Sequence, residues 1–347
     1  MTNIQGSPLF GRAIDVHGHL VPQQLLGETD ERRQGIGVEV EKSPEGAIFL
    51  RHGDDRLGPI HPGMSVASKR LEWMDARGIY RQWVSAWMDL YTWTSFDEEQ
   101  TRIWYDLVNS AIFDSAQSSN GRLRPLATIY LADPGQAAAE VERRLDENHL
   151  AGLMLNTHPP ECDSLASESM WPFWEVIDRI GVPVMLHPPT NGPSCQITPK
   201  LLQNITGRLI DTTAVATEML LSGFFSRFRN TKIILVHGGG MLPYQVFRMD
   251  GLNRAGLAPQ TMGGRHFIDE IRNFFYDTVT LDPASLELLV RRVGSAKVLL
   301  GSDAPFPIGD ADPLGRVLAA ELDSSVHEDI CCNNAAQLDI SRDPGHG

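Results

Sequence analysis

Five residues of metal-binding type sit at one kind of place in this 347-residue chain. His17 and His19 end the apolar run "AIDVHGH", His187 ends "VPVMLH", His237 ends "KIILVH" and Asp303 follows "KVLLGS". Imidazole nitrogens with one carboxylate suit a first-row divalent ion, Zn2+ or Mn2+. Any one of these histidines alone reads as a core or loop residue. Together they do not, because His52, His61, His149, His266, His327 and His346 all fall away from the ends of such runs. His158, in "LNTHPP", is on the right side but beyond its apolar run, which makes it a candidate for the site wall rather than a ligand.

Chemistry requires these residues to meet, so the elements that carry them must converge. Eight apolar, β-rich runs bounded by turn residues span the chain, at 13–16, 79–87, 123–131, 150–156, 182–186, 232–236, 273–279 and 297–301. Helical patterns lie between them, and three junctions pair an Asp with a Pro: Asp133-Pro134, Asp282-Pro283 and Asp312-Pro313. Asp caps a helix N-terminus through its side-chain oxygen, and Pro suits the first helical position because its missing N–H would be unpaired there anyway. "DPASLELLVRRVG" also ends on Gly294, a helix stop. Apolar strands alternating with capped helices predict a parallel sheet covered on both faces. Eight such units predict a (β/α)8 TIM barrel, one domain over residues 1–347. No G-x-G-x-x-G follows the first strand, against an open dinucleotide-binding sheet. In a closed barrel the carboxyl ends of all strands ring one mouth, and residues i and i+2 share a face, so His17 and His19 look inward together.

Two stretches exceed an ordinary loop. Residues 20–78 contain a hairpin turning at Ser43-Pro44-Glu45-Gly46 and a helix in "SVASKRLEWMDARG", an insertion after the first strand. Residues 188–230 hold a loop and the helical pattern "RLIDTTAVATEMLLSGFFSRF". Insertions after strands lie at the mouth, so both are expected to wall the site. The tryptophans from Trp73 to Trp104 read as packing beneath the first insertion.

A formal charge of -14 and no basic cluster argue against nucleic-acid and anionic-membrane partners. An anionic small molecule would need local arginines. No run is long enough to cross a bilayer, and "MTNIQGSPLFGR" lacks the basic and apolar regions of an export signal, so the cytoplasm is expected. Cys162, Cys195, Cys331 and Cys332 show no C-x-x-C spacing and read as reduced and structural. Of the five lysines, only Lys232 and Lys297 adjoin strands, at the opposite mouth, so none can bridge two ions and one metal is expected.

Taken in order, "DVHGHLVP", "GLMLNTHPP", "VPVMLHPP", "HGGGMLPYQVFR" and "GSDAPFPIGD" resemble the aminocarboxymuconate-semialdehyde decarboxylase-like branch of the amidohydrolase superfamily, across nearly the whole chain. The resemblance implies one divalent metal ion, zinc in most members and manganese in some, held by His17, His19, His187 and Asp303, with His237 as general acid/base. It implies non-oxidative removal of CO2 from an unsaturated or aromatic carboxylic acid, by a dimer or dimer of dimers. A hydrolase or hydratase of the same superfamily is the alternative, because fold alone does not choose the reaction. Two routes stay open: water adds to the conjugated system first, or the substrate chelates the metal and is protonated on carbon, with Asp303 as proton carrier. Arg51 follows the hairpin's apolar arm, where family members bind the substrate carboxylate; as a plain surface residue it would be a solvated hairpin charge. Arg248 ends "HGGGMLPYQVFR", where the family's arginine reaches the neighbouring subunit's site; otherwise it is a helix-surface charge beside Asp250. Phe306 in "PFP" matches and would pack on a planar substrate. Pro189 stands where decarboxylases of aminocarboxymuconate semialdehyde carry an aromatic residue, which leaves the substrate open. Gly238, Gly239 and Gly240 either admit a ligand close to the backbone or form a tight turn.

Overall fold

The computed structural model describes residues 4–27, 30–148 and 150–340. Its strands, in chain order, are β1 (Ala13–Leu20), β2 (Glu39–Lys42), β3 (Ile48–His52), β4 (Asp55–Leu57), β5 (Ile79–Ala86), β6 (Leu123–Ala127), β7 (Gly152–Asn156), β8 (Pro183–His187), β9 (Lys232–Leu235), β10 (Phe275–Asp277) and β11 (Val298–Leu299). Eight of them form one sheet in the order β1-β5-β6-β7-β8-β9-β10-β11, and every pairing in it is parallel. The two end strands meet as well. Val16 N–H donates to Leu300 O, Asp303 N–H to His17 O and His19 N–H to Ala304 O, each at 2.8 Å. These bonds close the sheet into a (β/α)8 barrel, and the eight runs read from the sequence are its eight strands. His149 and His346 lie outside the described residues.

β1, β6, β7 and β8 are buried at every position, as parallel strands covered on both faces must be. The three Asp-Pro junctions cap helices as read: Asp133 accepts from Gln136 N–H at 3.0 Å, Asp282 from Ser285 N–H at 2.8 Å and Asp312 from Gly315 N–H at 3.2 Å. The helix Pro283–Val293 turns Leu286, Leu289 and Val293 into the core at three- and four-residue spacing and stops at Gly294, whose φ is 90°. Truncating the fully buried Leu289 to Ala would cost about 2–5 kcal/mol.

Within the first insertion, β2, β3 and β4 form an antiparallel three-stranded sheet, and the helix Ala67–Ala76 follows. β2 and β3 are the hairpin read from the sequence; β4 was not anticipated, because three residues carry no period. The second insertion contains a π turn, Gln203–Gly207, leading into the helix Arg208–Leu221. All four cysteines are free; Cys331 and Cys332 are buried, whereas Cys195 is exposed and holds no core position. Among the described residues, no helix is long and apolar enough to cross a membrane.

Candidate metal centre

The pairing of β1 with β5 shifts register between Asp15 and Gly18, a bulge that re-aims the strand just where the histidines begin. His17 and His19 are wholly buried, and His187, at the last position of β8, nearly so. Their ring centroids lie 4.8 to 5.3 Å apart. Each presents Nδ1 to an oxygen behind it. His17 Nδ1 is 2.7 Å from Asp277 Oδ2, His187 Nδ1 is 3.0 Å from Pro188 O, and His19 Nδ1 is 3.4 Å from Ala86 O and 3.2 Å from Ser85 Oγ. With Nδ1–H donating backward, each Nε2 is a bare lone pair turned to a common point, the tautomer of a metal ligand.

The bare atoms do not satisfy one another. His17 Nε2 and His19 Nε2 stand 3.0 Å apart, a contact that two lone pairs resist and a shared cation relieves. Asp303 Oδ1 faces the same point, 3.1 Å from His19 Nε2 and 3.4 Å from His17 Nε2. His187 Nε2 and Asp303 Oδ1 are buried without a hydrogen-bond partner. A buried polar atom without a partner is costly, and here a divalent ion would satisfy several at once. The donor set therefore fits one such ion.

The titration shifts follow the same geometry. Burial opposes a charge on His17, but Asp303, Asp277 and Asp15 outweigh it and raise its pKa. Burial lowers His19 despite Asp303. Burial, then His19, His17 and His237, push His187 well down. Burial penalises the Asp303 carboxylate, yet His17, His19 and His237 hold it well below the usual range.

His237 belongs to the cluster but is held differently. One donor atom each from His17, His187, His237 and Asp303 lies within 4.8 Å of the others. Its Nε2 is 3.7 Å from Asp303 Oδ2, while its Nδ1 is buried without a partner, so nothing behind the ring fixes a ligand tautomer. Its backbone is left-handed at φ 55°, as is that of Asp303 at φ 58°. Such strain in non-glycine residues costs on the order of 1–3 kcal/mol each and clusters where function demands it. The glycines after His237 serve the fold: a Cβ on Gly240, at φ 63°, would lie 2.4 Å from Leu209 O in the helix behind. That supports the tight-turn reading of the three glycines.

Above this floor opens a cavity of about 910 Å³. Its lining includes His187, His237 and Asp303, the apolar Trp87, Phe306 and Ile308, and the polar Arg56, Thr190 and Lys200. Phe306 is part of this lining, its ring 5.4 Å from that of His19 and 6.4 Å from that of Trp87. Trp87, read from the sequence as packing, lines the cavity instead. Arg51 does not line it; the side chain is exposed and lies 3.6 Å from Glu41. Arg56, directly across the β3–β4 pair from Arg51, is the arginine that does, resting 3.4 Å above the Phe49 ring with its Nη2 2.8 Å from Glu41 Oε1. β4 leads into the cavity through Leu57 and Gly58, so its residues are nearer than those of β3. His158 is half-buried outside the lining, its Nδ1 3.1 Å from Thr157 Oγ1. Arg248 is exposed on the helix Leu242–Met249 and does not reach the cavity of its own chain. Asp250, named as its neighbour, accepts from Phe267 N–H at 3.0 Å and lies 3.2 Å from His266 Nδ1.

Sequence reasoning missed Asp277, although its signal was present: a carboxylate at the carboxyl end of the seventh barrel strand, the same kind of place as Asp303. It also missed Arg208, which lines the cavity; its Nη2 donates to Thr190 Oγ1 at 2.9 Å and lies 3.5 Å from Asp89 Oδ2, outside the second insertion.

The amidohydrolase family profile matches residues 14–338. A decarboxylase from Penicillium terrestre, macB, is 32% identical over 346 residues, covering 89% of this chain and 94% of that protein. The 2-amino-3-carboxymuconate-6-semialdehyde decarboxylase of Dictyostelium discoideum is 26% identical over 68% of this chain and 66% of its own length. A dihydroxybenzoic acid decarboxylase structure from Polaromonas sp. JS666, with bound manganese and the inhibitor 2-nitroresorcinol, shares the fold at a TM-score of 0.73 and 20% identity, over 94% of this chain and 96% of that one. With the family profile spanning the barrel from its first strand to its last, and curated decarboxylases among its relatives, the chain belongs to the amidohydrolase family, on the branch that resembles aminocarboxymuconate-semialdehyde decarboxylase.

Proposed function

We propose that this protein is a metal-dependent decarboxylase that removes CO2, without oxidation, from a hydroxylated aromatic or unsaturated carboxylic acid. The observation that carries the reading is the set of three back-anchored imidazoles and one buried carboxylate, clustered beneath a cavity lined by both aromatic and basic side chains. Decarboxylation rather than hydrolysis is favoured by the relatives, whose names are those of decarboxylases.

His17, His19, His187 and Asp303 would hold the ion, and three imidazoles with one carboxylate suit zinc, manganese being the alternative. The ion supplies Lewis acidity that draws electron density from an oxygen of the substrate. The remaining work falls to the chain. Trp87 and Phe306 offer faces for a planar ring, and Arg56 offers a charge for a carboxylate. Loss of CO2 leaves an electron pair on carbon that needs a proton. His237, in the cavity lining, is placed to hold and deliver it, with Asp303 Oδ2 3.7 Å from its Nε2. The family resemblance gives Arg248, which lies outside the cavity of its own chain, a role in the site of a partner subunit in a homodimer.

The test is release of CO2 by purified protein loaded with zinc or manganese, against dihydroxybenzoates, hydroxy-nitroaromatic acids and muconate semialdehydes. CO2 release that stops on chelation supports the reading. Turnover of amides or hydration of double bonds without CO2 would replace it by a hydrolase or hydratase.

A further inference from the structure

Beneath the metal centre lies a buried polar relay that takes no part in the steps above. Arg70 stands on the helix Ala67–Ala76 of the first insertion, yet it is only 2% exposed. Its Nη2 donates to His19 O at 2.8 Å and its Nη1 to Gln82 Oε1 at 2.8 Å. Gln82, on β5 and fully buried, passes the polarity on: its Nε2 donates to Asp15 Oδ2 at 2.6 Å. Asp15, also fully buried, accepts from His17 N–H at 3.0 Å, Ser302 N–H at 3.1 Å and Ser302 Oγ–H at 2.5 Å. Ser302 Oγ in turn accepts from Ala304 N–H at 3.1 Å.

The chemistry of the relay sets its direction. A guanidinium has only donors and a carboxylate only acceptors, so an amide between them must turn its oxygen to Arg70 and its nitrogen to Asp15. The two buried charges, neither next to water, thus compensate each other through one side chain. Gly18 makes room for it, because a Cβ there would lie 2.6 Å from Gln82 Cδ. The peptide groups gripped at the ends of the relay are those of His17, His19, Ser302 and Ala304. They are the backbone of two of the three imidazole ligands and the residues on either side of Asp303. Burial pushes Arg70 down to about 10, with Asp15 countering, so the side chain remains a cation at neutral pH.

We propose that Arg70 is a positioning residue of the metal centre, holding the H-x-H segment and the Asp303 segment in ligating register through Gln82 and Asp15. The inference rests on the metal-site reading above. It means that the first insertion shapes the centre from below as well as walling the cavity above.

The test is metal affinity, read by competition with a chromophoric chelator on purified metal-free protein. Arg70→Met should weaken zinc binding by tenfold or more, the range seen when groups that orient ligands are removed. Arg70→Lys, which keeps the charge but reaches one acceptor, should fall between, and Gln82→Leu should match Arg70→Met. Leu289→Ala, destabilising but remote, should keep wild-type affinity and so separates positioning from general loss of stability. Wild-type affinity in Arg70→Met, or in Arg70→Lys should the first variant not fold, overturns the proposal and leaves the metal site standing. Failure of the wild-type chain itself to take up zinc or manganese overturns both.

Discussion

The floor of the cavity stands on barrel strands, whereas much of its wall comes from the two insertions, and the two regions hold their side chains in different ways. On the floor, each ligand imidazole has an acceptor behind it, and the strand beneath is gripped by buried side chains such as Asp15 and Gln82. On the wall, Arg56 is partly exposed and its partner is the surface residue Glu41. Buried, fully bonded groups are costly to disturb; exposed ion pairs are worth roughly 0–1 kcal/mol. The floor should therefore govern whether the site exists, and the wall which molecule it accepts.

The sharpest way to break this contrast is His187→Ala. It removes a ligand with no substitute, so metal content should fall from one per chain to less than about a tenth, with all activity; elemental analysis of the purified variant decides it, and retained stoichiometric metal would falsify the assignment. Next comes His237→Ala, which should keep its metal and lose about 10²–10⁴-fold in turnover, the range for a lost general acid/base. Loss of metal in that variant would move His237 into the ligand set.

The floor also predicts a pH dependence. Burial lowers the pKa of His19 and His187 in the metal-free protein, so below about 6.5, the ordinary value for histidine, the unfolded chain takes up protons that the folded chain does not. Stability should fall as pH drops below that value, with both groups contributing in the same direction. His17, raised, changes its contribution only above that value, where its stabilisation is lost as pH rises through its folded pKa. Denaturant melts at pH 7, 6 and 5 would show the decline, and bound zinc should oppose it until the ligands protonate. A metal-free protein equally stable at all three pH values would mean these imidazoles charge freely.

Wall changes should be smaller. Arg56→Ala should raise KM roughly tenfold with kcat little changed, as expected of a group that binds the substrate and its transition state alike; Arg51→Ala should leave both constants alone. The reverse pattern would return the carboxylate to Arg51. The smallest signal is complementation: co-refolding Arg248→Ala with His187→Ala should restore roughly a quarter of wild-type sites if the arginine crosses a C2 interface. No recovery, with subunit exchange shown, would take Arg248 out of the partner's site.

The eight strands, the three Asp-capped helices and the five-residue cluster were all legible in the chain, since each rests on local rules. Apolar runs make buried strands, Asp-Pro caps a helix, and in a closed barrel every strand end faces one mouth. Asp277 obeyed the same rule as Asp303 and could have been read. What local rules do not determine is which long side chain reaches a cavity. Arg51 and Arg56 are cross-strand partners with the same chemistry, and only the placement of β4 against the mouth decided between them. Trp87 took a role other than the one read for it, and that of Arg70 was not read at all, for the same reason. A tryptophan after β5 can pack or line, and an arginine on a helix is a surface charge unless the tertiary fold brings two buried acceptors to it, His19 O and Gln82 Oε1. Local spacing thus determined which residues meet on the floor of the cavity. Three-dimensional packing of the insertions decided what surrounds it, because contacts between segments distant in sequence leave no period in either one.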